Sequence, residues 1–138
     1  MNQAAELVAD SLSDSSVATL LIGKMVYVVT PPAIKVICRG YSAFSKIGVD
    51  GEYSSLSIIG EMPTNAPYMI KGLSALIVGD VKNWRWKARK VGKVLESATW
   101  KELRDAWENT LPLIGGEDFF ACALSMKSAA GIIAKERL

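Results

Sequence analysis

The sequence contains no histidine. That absence removes serine–histidine and cysteine–histidine catalysis, the commonest general base and the commonest zinc ligand. Cysteine is nearly absent too. Cys38 and Cys122, far apart in the chain, can build neither a disulfide framework nor a zinc knuckle. Each falls in an apolar helical pattern, which predicts two buried thiols acting as small hydrophobes in a reducing compartment. The eleven glycines form neither GxxxxGK[ST] nor GxGxxG, so no phosphate-cradling loop is readable. Asp50-Gly51-Glu52 lacks the alternating acids of a calcium loop. The one adjacent carboxylate pair, Glu117-Asp118, suits the positive end of a helix dipole better than acid–base chemistry.

Long hydrophobic runs are also missing. None approaches the ~18 residues of a membrane span, and Lys24, Pro31 and Pro32 interrupt the most apolar region. The N-terminus has no basic stretch followed by an apolar one, so no signal peptide is expected. These observations predict a cytoplasmic, non-enzymatic protein without cofactor or metal and away from membranes.

What the chain does have is apolar mass. Half of its 138 residues are hydrophobic, enough for one domain to build a core unaided. The expected fold is mainly α, a small single domain of about five or six helices with an N-terminal β-hairpin. Residues 1–16 read as a flexible N-terminal segment holding a short helix over 2–12 and a linker over 11–16. Residues 17–30 read as the hairpin and 31–138 as helical. "VATLLI" and "MVYVVT" are β-branched and apolar and flank Gly23-Lys24, where glycine first suits a type II′ turn. A two-residue turn pairs Ile22 with Met25, Leu21 with Val26 and Leu20 with Tyr27. Both faces of the ribbon are then apolar. One must lie on helices, and the hairpin can self-associate or augment a partner's sheet.

Thr30 and Pro31 suit the cap and first position of a helix ending near Gly48, with Ile34, Ile37, Cys38, Tyr41 and Phe44 as its buried stripe. Residues 49–55 read as a loop turning at Asp50-Gly51. "LSIIGEMP" is open between short helix and extended chain. Pro63 and Pro67 bracket a break, and a buried helix follows over 66–79, with Lys71 snorkelling from it. Thr99 and Glu102 form a capping box for a helix with Trp100, Leu103, Trp107 and Leu111 as its stripe. Pro112 and Gly115-Gly116 end it. The last helix begins at Glu117-Asp118, ends near Lys135 and Arg137, and is apolar nearly all round, so it belongs in the core or on a partner.

Charge is unevenly spread. The net value is only +2, yet "KNWRWKARKVGK" over 82–93 holds six of the sixteen basic residues and two of the four tryptophans. On a helical wheel Trp84, Ala88, Val91 and Leu95 share a core arc. Lys82, Arg85, Arg89, Lys93 and Glu96 lie opposite, and Trp86 falls among them. Three readings of Trp86 are open. It leans on neighbouring alkyl stems or the hairpin. It anchors a protein interface with a cationic rim. Or it serves a nucleic-acid surface whose cations neutralise phosphates. The candidate partner-binding residues are Lys82, Arg85, Trp86, Arg89, Lys90 and Lys93.

Two segments carry a resemblance: "IGKMVYVVTPPAIKVI" near the start and "TWKELRDAWENTLPLIGGEDFFACALSMKSAAGIIAK" near the end. In the second, a capped T-x-x-E-L helix, a Leu-Ile-Gly-Gly break and an Asp-Phe-Phe helix start follow one another. The order resembles the small tail-assembly chaperones of tailed phages and prophages. The resemblance implies a largely helical helper protein of the host-cell cytoplasm that binds the tape-measure protein or another tail protein, and no catalytic residues. The reading is an interaction protein, an assembly chaperone or adaptor that binds a partner segment. The alternative is a nucleic-acid-associated protein using the basic aromatic helix.

Overall fold

The computed structural model describes residues 17–49 and 55–136. It is mainly helical and begins with a β-hairpin. The expected N-terminal helix, its linker and the Asp50-Gly51 turn lie outside the described residues.

Strands β1 (Ala18–Ile22) and β2 (Met25–Val29) pair antiparallel in the expected register, Ile22 opposite Met25 and Leu20 opposite Tyr27. Gly23 has φ 59°, the positive value a first turn residue needs here and one that only glycine adopts freely. Leu20, Ile22 and Val29 are buried, whereas Leu21, Val26 and Val28 on the other face are exposed. One face therefore lies on helices and the other is open.

Helix α1 (Ile34–Phe44) starts later than Thr30 predicts. Proline disfavours helical backbone in the residue before it, so Thr30 and Pro31 both stay outside and uncapped Ala33 precedes the first turn. The helix also ends at Phe44, before Gly48. Its buried side is Val36, Gly40 and Ala43, while Ile34, Cys38 and Tyr41 of the expected stripe are exposed. Close approach to the next helix decides this. A methyl group at Gly40 would stand 3.2 Å from the Gly72 carbonyl oxygen and 3.1 Å from Leu76. Small residues let the two backbones touch, and that contact outweighs the larger apolar side chains on the opposite face.

Helix α2 (Ser55–Val78) is continuous through Pro63 and Pro67, where a break is expected. Each proline leaves the carbonyl four residues earlier without its helical donor. Those carbonyls belong to Ile59 and Pro63, both exposed, so water can serve them. Buried Asn65 then ties the helix to the chain after α1. Its Oδ1 accepts from Gly48 N at 2.9 Å, and its Nδ2 donates to the oxygens of Gly48 at 2.9 Å and Glu61 at 3.0 Å.

Gly79 at φ 74° and Asn83 at φ 62° turn the chain into helix α3 (Trp84–Glu96). Val91 and Leu95 are buried as the wheel predicts. Trp84 is a correction: it is half-buried at the edge of a groove and does not join the core cluster. Helix α4 (Trp100–Thr110) carries the expected capping box of Thr99 and Glu102. It buries Leu103, Ala106 and Thr110, while Trp100 and Leu111 of the expected stripe are exposed. The Thr110 hydroxyl donates to the Ala106 carbonyl at 2.7 Å, which is how a polar residue can face the core. A 3₁₀ turn (Leu111–Ile114) ends at Gly115, φ 79°, and helix α5 (Gly116–Glu136) follows.

The core joins Leu20, Ile22 and Val29 of the hairpin to Leu73 and Ile77 of α2, Val91 and Leu95 of α3, and Leu103 and Leu113 beyond. Helix α1 packs on another side of α2. Phe44 meets Trp107 of α4 edge-on, ring centroids 5.3 Å apart. Helix α5 is outside this core. Its residues 116–132 are all exposed, so the last helix is not the central element that its composition allowed. Cys122 on it and Cys38 on α1 are free, exposed thiols, against the expectation of burial.

Candidate binding groove

Helix α2 lies between α1 and α3 and forms the floor of a groove of about 1150 Å³ whose walls are those two helices. That exceeds the roughly 300–1,000 Å³ of ordinary small-molecule sites. Arg85, Arg89 and Lys93 stand one turn apart along the α3 wall. Helix α1 contributes Lys35 and Arg39, the turn after it Lys46, and α2 adds Lys71. Glu96 is the one carboxylate among the lining residues, and Asp80 stands beside Lys35, its Oδ2 2.9 Å from the ammonium. The groove is strongly basic even though the chain as a whole is nearly neutral.

Small side chains line part of it, beside the larger Pro67, Tyr68 and Ile70 of α2. Ala75 and Ser74 come from α2, with Ala43 from α1 and Ala88 and Gly92 from α3. A methyl group at Gly92 would meet Ser74 Oγ at 3.5 Å and Ile70 at 3.6 Å, an ordinary van der Waals fit, so α2 and α3 lie close at this point. Ser74 is 1 % exposed, and its hydroxyl has no hydrogen-bond partner among the described residues. The same holds for Arg39 Nη1, which lies 4.0 Å from Asp80 Oδ1, beyond hydrogen-bond reach.

The aromatic rings along this surface already carry cations. Arg39 sits 4.4 Å and Arg85 5.5 Å from the Trp84 ring centroid, and Lys46 is 5.8 Å from that of Tyr68. Outside the groove, Lys90 stands 3.8 Å over Trp86. Stacking of this kind holds guanidinium and ammonium groups in place without neutralising them.

The six residues read from the sequence are therefore divided. Arg85, Arg89 and Lys93 line the groove, whereas Lys82, Trp86 and Lys90 do not. Trp86 is 57 % exposed. The contact seen is a cation–π one with the Lys90 ammonium, and more than half of the residue stays open to solvent. Sequence reasoning missed Lys35, Arg39, Lys46, Ser74 and the role of Trp84. The i, i+4 spacing of Lys35 and Arg39 marks a cationic face on α1, but nothing in the sequence shows that it faces α3.

A second feature is apolar. On α5, Phe119 is 73 % and Met126 70 % exposed, and Phe120, Leu124 and Ile132 are also exposed. Among the described residues, no helix is long and apolar enough to cross a membrane, and no cluster of three acidic or cysteine side chains could hold a metal ion. Comparison of the chain with protein-family models, with curated proteins and with solved structures finds no match.

Proposed function

We infer that this is a non-enzymatic interaction protein, an assembly chaperone or adaptor that binds a segment of a partner protein, of the kind that serves tail assembly in phages and prophages. The observation that carries this reading is α5. An apolar helix exposed on every side is a surface in need of a partner, since clustered exposed apolar side chains mark interaction sites. Phe119, Phe120 and Met126 are the large adaptable side chains that anchor such contacts. The outer hairpin face of Leu21, Val26 and Val28 offers a second apolar surface, available to a partner's sheet or to a second copy. The tail-assembly part of the reading rests on the sequence resemblance alone.

The test is co-expression with a phage tape-measure protein from the same genome. The expected result is a co-purifying complex that is lost when Phe119→Asp and Met126→Asp are introduced together. Because α5 lies outside the core, the variant should keep its far-UV circular dichroism and melting temperature. A variant that still co-purifies, or a tape-measure protein that never binds, refutes the reading.

A further inference from the structure

We propose that the groove between α1 and α3 is a docking site for an acidic helical segment of a partner protein. This stands on the groove alone and is independent of the reading drawn from α5. Two rows of cations face one channel. Arg85, Arg89 and Lys93 recur every four residues, about 6 Å apart along the α3 axis. Lys35 and Arg39 repeat that spacing on α1, and Lys46 follows in the turn after the helix. Asp80 pairs with Lys35 and stands 4.0 Å from Arg39, and would have to share them with an occupant. A helix with Asp or Glu at i, i+4 and i+8 presents carboxylates at the same pitch, so each turn meets a cation. The floor between the rows is small and partly apolar, which lets a helix sit close.

The polar atoms point the same way. Ser74 Oγ is buried without a partner at the base of the channel, next to Gly92. A buried hydroxyl without a partner is destabilising, and because it is closed to solvent here, an occupant's carboxylate or carbonyl would accept from it only where α2 and α3 part slightly. Arg39 Nη1, on the same lining, makes no hydrogen bond, although Asp80 Oδ1 stands 4.0 Å from it. Glu96 falls at the Lys93 end of the α3 row and would repel a carboxylate placed there, which limits how far an acidic segment can extend.

The arrangement favours carboxylates over nucleic acid. Single-stranded nucleic acid gains much of its affinity by stacking bases on open aromatic faces. In this groove the Trp84 ring carries Arg39 and Arg85, and Tyr68 carries Lys46. The cations are held in place, but the rings beneath them are occupied.

The full-length protein is titrated with a fluorescein-labelled peptide helix that bears glutamate at every i, i+4 step on one face and alanine and leucine on the other, read by anisotropy. Its glutamine analogue and a single-stranded oligonucleotide of equal charge are titrated in parallel. The expected result is saturable binding of the glutamate peptide that weakens at least about tenfold for the glutamine peptide and falls with added salt. Arg89→Glu with Lys93→Glu should abolish binding. Gly92→Leu should reduce it at least about tenfold with the charge unchanged, by filling the floor. Lys90→Ala and Trp86→Ala, outside the groove, should leave it unchanged. Circular dichroism reports whether each variant is folded, and the two substitution routes, charge and volume, fail independently. Equal affinity for the glutamine peptide overturns the proposal, as does binding that survives the folded groove variants. Tighter binding of the oligonucleotide overturns it in favour of a nucleic-acid surface, and absence of peptide binding up to about 1 mM overturns it outright.

Discussion

Gly72→Ala should destabilise the protein, although alanine is the better helix former. A Cβ at this position would lie 2.3, 2.6 and 2.8 Å from three ring carbons of Phe44. Carbon atoms rest about 3.5–4.0 Å apart, so the ring would have to retreat by more than about 1 Å. Any such movement disturbs its edge contact with Trp107, ring centroids 5.3 Å apart. Overpacking of this kind costs about 1–3 kcal/mol. Disturbing the aromatic pair adds about 0.5–1.5 kcal/mol. Replacing a mid-helix glycine returns about 1 kcal/mol. The net loss is about 1–3 kcal/mol, and thermal unfolding should shift down on the order of 5–10 °C. The decisive assay is a double-mutant cycle in urea. In a Phe44→Ala background the ring is gone, so adding Gly72→Ala should not destabilise further and should recover part of the helix propensity. If Gly72→Ala is as stable as the parent, or equally harmful in both backgrounds, the close crossing of α1 and α2 is not what holds the groove wall in place.

Glu102 gives a pH-dependent prediction. Its carboxyl is held below the ordinary glutamate value of 4.5, first by the N–H of Gly23 and then by that of Thr99. A lowered folded value means that its contribution is fully present above the unfolded value and is lost as pH falls through the folded one. Glu102→Gln should therefore lower the urea midpoint at pH 7 more than at pH 3, and an equal loss at both would refute the assignment. Trp86→Ala should move stability by no more than about 0.5 kcal/mol, as for other exposed positions, and a larger loss would mean that the ring is covered. Both thiols should react with Ellman's reagent in the native protein, two per chain without denaturant, and a count of one or none would contradict the exposure of Cys38 or Cys122.

The features legible in the sequence were those governed by local rules. The hairpin register follows from a two-residue turn with glycine first. The α4 start follows from Thr99 and Glu102, and the buried pair Val91 and Leu95 from spacing. The stripes on α1 and α4 misled because apolar periodicity does not report how closely backbones approach. Gly40 and Gly72 draw α1 onto α2 through its small face, leaving Ile34 and Tyr41 outside. Pro63 and Pro67 misled because each costs a helix only one hydrogen bond, and here the residues left without a donor, Ile59 and Pro63, are exposed. The α3 half of the groove was visible as cationic spacing. The α1 half depends on which helices meet across α2, and that is a tertiary fact.

The single hydrogen bond from Gly23 N to Glu102 Oε2, 2.6 Å long, joins positions 79 residues apart. The hairpin can close locally and α4 can nucleate locally, but this carboxylate bridges the two only once the distant parts of the chain have met. It therefore links the order of assembly to the completeness of the fold. Amides in the first turn of α4 should resist hydrogen exchange only while the hairpin is seated, so the two elements should open together as one cooperative unit. Helix α5, beyond Gly115, lies outside that closed circuit and should exchange independently of it until a partner covers it.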